Sequence, residues 1–137
     1  MTGASGWLGK SALLEFEKLF GYNYLKENLI VYASKERYIN YGSQYGTIKA
    51  IPLDSINKVE NIYGIIHTAF LTKDKLNKLG RDQFIKSNRK ITKLICKCLI
   101  NNPYANIISI SSGVASKINK ERLTDTVEPY AFLKKEE

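Results

Sequence analysis

Tyr130 and Lys134 stand four residues apart in the segment Tyr130-Ala131-Phe132-Leu133-Lys134. On a helix that spacing puts both side chains on one face, one turn apart. A free tyrosine ionises at about pH 10. An ammonium group beside it favours the phenolate, so such a pair can pass a proton nearer neutral pH. Upstream, Ser111-Ser112-Gly113 closes the apolar stretch Ile108-Ser109-Ile110 and, taken alone, reads as a turn after a strand. The Tyr/Lys spacing alone is a frequent coincidence in a chain with 9 tyrosines, so its meaning depends on what precedes it.

What precedes it is a glycine-rich turn, Thr2-Gly3-Ala4-Ser5-Gly6-Trp7-Leu8-Gly9-Lys10-Ser11. Glycines that feed a helix let backbone amides approach a phosphate at the helix N-terminus. The ending Gly9-Lys10-Ser11 suggests a P-loop, but that motif needs glycine at position 4, which is alanine. Nor does an acidic residue close the later strand Ile65-Ile66, which runs into His67-Thr68. The spacing of Gly3, Gly6 and Gly9 is G-x-x-G-x-x-G, which also differs from the ordinary dinucleotide fingerprint G-x-G-x-x-G.

That turn resembles the T-G-x-x-G-x-x-G of short-chain dehydrogenases, with Trp7-Leu8 where extended members carry an aromatic and an aliphatic residue. Four further segments follow in the order of that family, the NAD(P)-dependent nucleotide-sugar epimerases and dehydratases. Ile65-Ile66-His67-Thr68-Ala69-Phe70 resembles the fourth strand with its H-x-A ending. Asn88-Arg89-Lys90-Ile91-Thr92 keeps the Asn and Thr of the N-V-x-G-T helix. Ile108 to Gly113 resembles the fifth strand, with Ser112 as the active hydroxyl, or its neighbour Ser111 if the alignment slips by one. Tyr130 and Lys134 complete the Y-x-x-x-K signature.

The resemblance implies an α/β fold, a Rossmann-like doubly wound parallel sheet over residues 1–137. It implies that Gly3, Ser5, Gly6, Trp7, Leu8 and Gly9 meet the dinucleotide, with Thr68, Ala69, Asn88 and Tyr130 beside it. Tyr130 would exchange a proton with the substrate, Ser112 would hold the same oxygen, and Lys134 would bind the nicotinamide ribose. The hydride chemistry belongs to the nicotinamide. The choice between NADP and NAD turns on the tip of the second strand, Tyr32-Ala33-Ser34-Lys35-Glu36-Arg37. An acid at that tip ordinarily binds the ribose 2′-OH of NAD. Here Ser34, Lys35 and Arg37 suit a 2′-phosphate, which favours NADP. Asp54 matches the family's adenine-contacting Asp loosely. His67 reads as a core or turn histidine rather than a catalytic one.

These residues need elements to hold them. Periodicity predicts helices over residues 10–20, with Gly21 as the stop, and over 83–100, with a third opening at Pro129. Short apolar runs predict strands at 28–33, 45–53, 61–71 and 106–111, the third and fourth of them buried. Strands of this kind alternating with helices indicate a parallel sheet covered on both faces. Length and a hydrophobic content of 44% suit one domain of one core.

The net charge of +8 raises nucleic acid as a partner. Lys86, Arg89, Lys90, Lys93 and Lys97 share a helix face opposite Ile91, Leu94, Ile95, Cys98 and Leu99, which reads as the wet side of an amphipathic helix instead. Cys96 and Cys98 read as reduced thiols rather than metal ligands, since the lone His67 is distant in sequence. No run approaches the length of a membrane span, and Met1-Thr2-Gly3-Ala4-Ser5-Gly6 does not read as a secretory leader, so the cytoplasm is the expected default.

The chain also departs from the family. Only Met1-Thr2 precedes Gly3, so the first strand is expected to be absent, leaving two inner strand edges unpaired. The substrate-binding lobe would lie beyond Glu137. The expectation is a cofactor-binding fragment, inactive alone, that takes a nucleotide sugar in its full-length form. Intact members often dimerise through the helices at 83–100 and 129 onward. The rivals are a reductase of some other substrate and a vestigial nucleotide-binding module without catalysis.

Overall fold

The computed structural model describes residues 1–116 and 128–137. In chain order the elements are α1 (Trp7–Phe20), α2 (Tyr22–Asn28), β1 (Val31–Ala33), β2 (Arg37–Asn40), β3 (Thr47–Pro52), a 3-10 turn (Leu53–Lys58), β4 (Gly64–His67), α3 (Lys73–Leu79), α4 (Arg81–Asn101), β5 (Asn106–Ser109), α5 (Gly113–Ser116) and α6 (Pro129–Glu136). The described residues segregate into two compact units, Met1–Ala69 with Leu94–Ser109, and Phe70–Lys93 with Ile110–Glu137.

The first unit is α/β. β1 pairs parallel with β3, and β3 pairs antiparallel with β2; β4 pairs parallel with β5. Thr2 joins the two groups by parallel bridges to Tyr32 of β1 and His67 of β4. Its amide donates to Ile66 O at 2.9 Å, and Tyr32 N donates to Met1 O at 2.9 Å. The lateral order is therefore β2-β3-β1-Thr2-β4-β5. This corrects the expectation of two unpaired inner edges: Met1-Thr2 has too few residues for a strand signal, yet fills the central place. Burial is the reason, since Thr2 is fully enclosed and buried backbone groups must find partners.

The strand β1 is packed on both faces of the sheet. All three of its residues are buried. Val31 and Ala33 enter a core with Leu13, Leu25, Ile39, Ile48 and Ala50, against α1 and α2. Tyr32 enters a second core with Ile56, Ile65, Ile95 and Cys98, against the C-terminal half of α4. The alternation is the strand period of two.

Four sequence expectations change. α1 starts at Trp7, three residues earlier than its apolar pattern. Residues 28–30 end a helix and enter β1 rather than belonging to a strand, and β2 makes the sheet mixed. β5 pairs with β4 but is exposed at all four positions, which corrects the expectation of a buried strand there. α6 opens at Pro129 as expected; the ring's fixed φ and missing N–H cost nothing in the first turn. Among the described residues, no helix is long and apolar enough to cross a membrane.

Candidate functional site

The glycine turn packs against the end of β4. Gly3 has φ 71, in the left-handed region that side chains disfavour. A Cβ on it would lie 2.5 Å from Ala69 N and 2.5 Å from the Thr68 hydroxyl. Gly6 N donates to Gly3 O at 3.0 Å, closing the turn. A Cβ on Gly9 would lie 2.3 Å from that same carbonyl, so the first turn of α1 sits directly on the loop. Gly3 and Gly9 thus answer to close packing. Gly6, whose Cβ would meet only Gly3 O at 3.3 Å, leaves the outer side of the turn open.

Around that outer side Ser5, Gly6, Trp7 and Leu8 are exposed, Trp7 by 83%. The first helical bond runs from Lys10 N to Gly6 O at 3.0 Å, so the amides of Trp7, Leu8 and Gly9 precede the helical ladder. Donors of this kind, with the positive end of the helix dipole, suit an anion. The Arg37 guanidinium donates to Ser5 Oγ at 2.8 Å, bringing a cation from the start of β2 to the turn. Ser34 and Lys35 are exposed between β1 and β2, and Asp54 is exposed in the 3-10 turn after β3. The structure therefore unites Gly3, Gly9, Thr68 and Ala69 in one packed cluster and Ser5 with Arg37 in one surface contact.

Thr2, the first residue of the glycine motif, ties the turn to β4. Its hydroxyl hydrogen-bonds His67 Nδ1 at 2.7 Å in a fully buried position. Its carbonyl accepts from Thr68 Oγ1 at 2.8 Å. His67 is thereby a core residue, as its sequence context suggested.

The second unit carries the other predicted residues. Asn88 is fully buried, and its amide clamps one backbone position: Leu71 N donates to Oδ1 at 2.8 Å and Nδ2 donates to Leu71 O at 3.4 Å. Its side chain thus fixes the chain just beyond β4. Thr92 Oγ1 donates back to Asn88 O at 3.3 Å.

Tyr130 and Lys134 follow each other on α6, and both address Phe70. The Tyr130 ring meets Phe70 edge-on, with centroids 5.5 Å apart. The Lys134 ammonium lies 4.0 Å from the Phe70 centroid, a cation–π contact. It also donates to Ile110 O at 2.8 Å and pairs with Glu137. Ser112 stands just before α5, where its carbonyl accepts from Ala115 N at 2.9 Å. Phe70 had no assigned role in the sequence; a lone aromatic after a strand carries no signal that a distant helix will use it.

Among the described residues no group of three or more His, Cys, Asp or Glu side chains is placed to hold a metal ion. Compared with protein-family models, with curated proteins and with solved structures, the chain finds no match.

Proposed function

We propose that this chain binds a nicotinamide dinucleotide, NADP in preference to NAD, as an oxidoreductase-type domain similar to the extended short-chain dehydrogenases, with a nucleotide sugar as the substrate class. The observation that carries the reading is the seat of the glycine turn. It leaves the sheet at Thr2, between β1 and β4, in the order β3-β1-Thr2-β4-β5. In a doubly wound fold that is the crossover point beside which nucleotides bind. The turn presents exposed Ser5-Gly6-Trp7-Leu8 and the early α1 amides there, with Arg37 alongside.

The chain's own residues divide the work. The turn and the α1 N-terminus would bind the pyrophosphate, and Arg37 with Ser34 and Lys35 would bind a 2′-phosphate. Asp54 would face the adenine, and Thr68 and Ala69 the adjoining ribose; Asn88 would hold the Leu71 backbone in place. Tyr130 would exchange a proton with the substrate oxygen, Ser112 would hydrogen-bond that oxygen, and Lys134 would hold the nicotinamide ribose. The nicotinamide, when bound, supplies the hydride chemistry.

A second reading, a nucleotide-binding module without catalysis, draws on one observation. The Lys134 ammonium is engaged by Ile110 O and Glu137, so a catalytic role requires it to change partners. Titration with NADPH and NADH tests the first reading. Tighter binding of NADPH, reduced in Arg37→Ala, supports it; a folded chain that binds neither removes it.

A further inference from the structure

Glu17 stands where the inward face of α1 calls for an apolar residue. Gly9, Leu13 and Glu17 succeed one another at every fourth position and are the buried residues of that helix. A carboxylate in such a place is costly unless its oxygens are hydrogen-bonded. Both are satisfied from a single turn. Tyr41 donates to Oε2, and Ser43 Oγ donates to Oε1 at 2.6 Å. Ser43 Oγ also accepts from Tyr45 N at 2.9 Å. These residues lie in the connection from β2 to β3, so Glu17 holds the tip of the hairpin.

The other end of β2 is tied to the turn that precedes α1, through Arg37 and Ser5. The two ties differ in kind. At the tip a charged acceptor is shut away from water, with Tyr41 only 4% exposed, and Tyr22 OH adds a bond to Thr47 O at 3.2 Å. At the root a guanidinium rests on a neutral hydroxyl in water. A phosphate would offer Arg37 a charge-assisted, bidentate partner in place of that hydroxyl. Glu17, enclosed and doubly bonded, is not open to such exchange.

We propose that β2 is a strap anchored at its tip by Glu17 and exchangeable at its root, and that the anchor positions Arg37 for a dinucleotide's ribose phosphate. This positioning role rests on the dinucleotide reading above; the anchor itself does not.

Amide hydrogen exchange and dissociation constants for NADPH and NADH, measured on the wild type, Tyr41→Phe and Arg37→Ala, test it. Tyr41→Phe is expected to speed exchange across 39–48 about tenfold, while the β4 amides keep the wild-type rate. It should weaken NADPH about fivefold and leave NADH within about twofold, because only the phosphate contact depends on Arg37. Arg37→Ala should weaken NADPH without changing hairpin exchange. Wild-type exchange rates in Tyr41→Phe, or equal weakening of both dinucleotides, overturn the proposal. If Tyr41→Phe does not fold, Ser43→Ala carries the same test. A folded wild type that binds neither dinucleotide removes the cofactor reading and the positioning role together. Hairpin exchange in the variants then shows separately whether the strap exists.

Discussion

Gly3 and Thr68 approach so closely that a Cβ on the glycine would stand 2.5 Å from the threonine hydroxyl oxygen. That hydroxyl donates to Thr2 O, so the turn, the residue before it and the end of β4 form one packed unit. The proposed cofactor seat is built on this contact.

The first prediction concerns the three glycines. Gly3→Ala combines a positive φ with backbone overlap and should destabilise the chain by roughly 2–4 kcal/mol. Gly9→Ala, whose Cβ would meet Gly3 O at 2.3 Å, should behave similarly. Gly6→Ala, with its closest approach 3.3 Å and φ -75, should cost less than about 1 kcal/mol. Urea denaturation midpoints measure all three. Equal midpoints would mean that the turn does not pack against β4.

Much of this arrangement was legible in sequence, for uneven reasons. Leu13 and Ile95 announce their helices because an apolar stripe repeats at the helical period. Ile65 and Ile66 announce β4 as an apolar run. α2 and α3 were missed because α2 buries only Leu25 and α3 buries no residue, so neither carries a full stripe. β2 buries only Ile39 and has no alternation long enough to read. Thr2 is a matter of tertiary context alone: one residue has no period, and only its neighbours make it a strand position. At the site, residue types and order suggested the glycine turn and the Tyr130–Lys134 pair. The Phe70 ring between those two side chains' contacts, and the tie from Arg37 to Ser5, come from folding and leave no mark in the spacing.

Asn88 offers a test of the clamp on Leu71. Asn88→Ala removes a fully buried amide and leaves the Leu71 backbone without two bonds, at a cost of about 2–3 kcal/mol. Hydrogen exchange at Leu71 should accelerate beyond that global loss. An unchanged Leu71 amide would show that Asn88 does not hold it.

Two tyrosines give a pH dependence. Burial, and then hydrogen bonding to Glu17, pushes Tyr41 from 10.0 up to about 12; burial, and then the nearby Cys98, pushes Tyr32 up to about 12. Raised folded values mean that the stabilisation is fully present below pH 10 and is lost as pH rises through about 12. Phenolate absorbance should show two late tyrosines, and Tyr41→Phe should leave one. Denaturation midpoints should fall across the same window. Ionisation of Tyr32 and Tyr41 at the ordinary tyrosine value of about 10 in the folded chain would contradict this.

Tyr130→Phe removes the hydroxyl proposed to move the proton and keeps the ring against Phe70. Its thermal midpoint and its NADPH affinity should match the wild type, with stability changed by less than about 0.5 kcal/mol. In any form that turns over a nucleotide sugar the same change should abolish turnover. Lost NADPH binding would assign the Tyr130 hydroxyl to the cofactor instead, and retained turnover would remove it from the mechanism.

The most direct test of the account uses Trp7, the sole tryptophan, which is 83% exposed at the start of α1. A folded chain titrated with NADPH should show saturable quenching of Trp7 emission with sensitised emission from the dihydronicotinamide. NADH should give a weaker response. Gly6→Asp, which sets a carboxylate at the helix N-terminus without backbone overlap, should abolish the response while preserving the circular dichroism spectrum. A folded wild type whose Trp7 emission is indifferent to both dinucleotides would contradict the account.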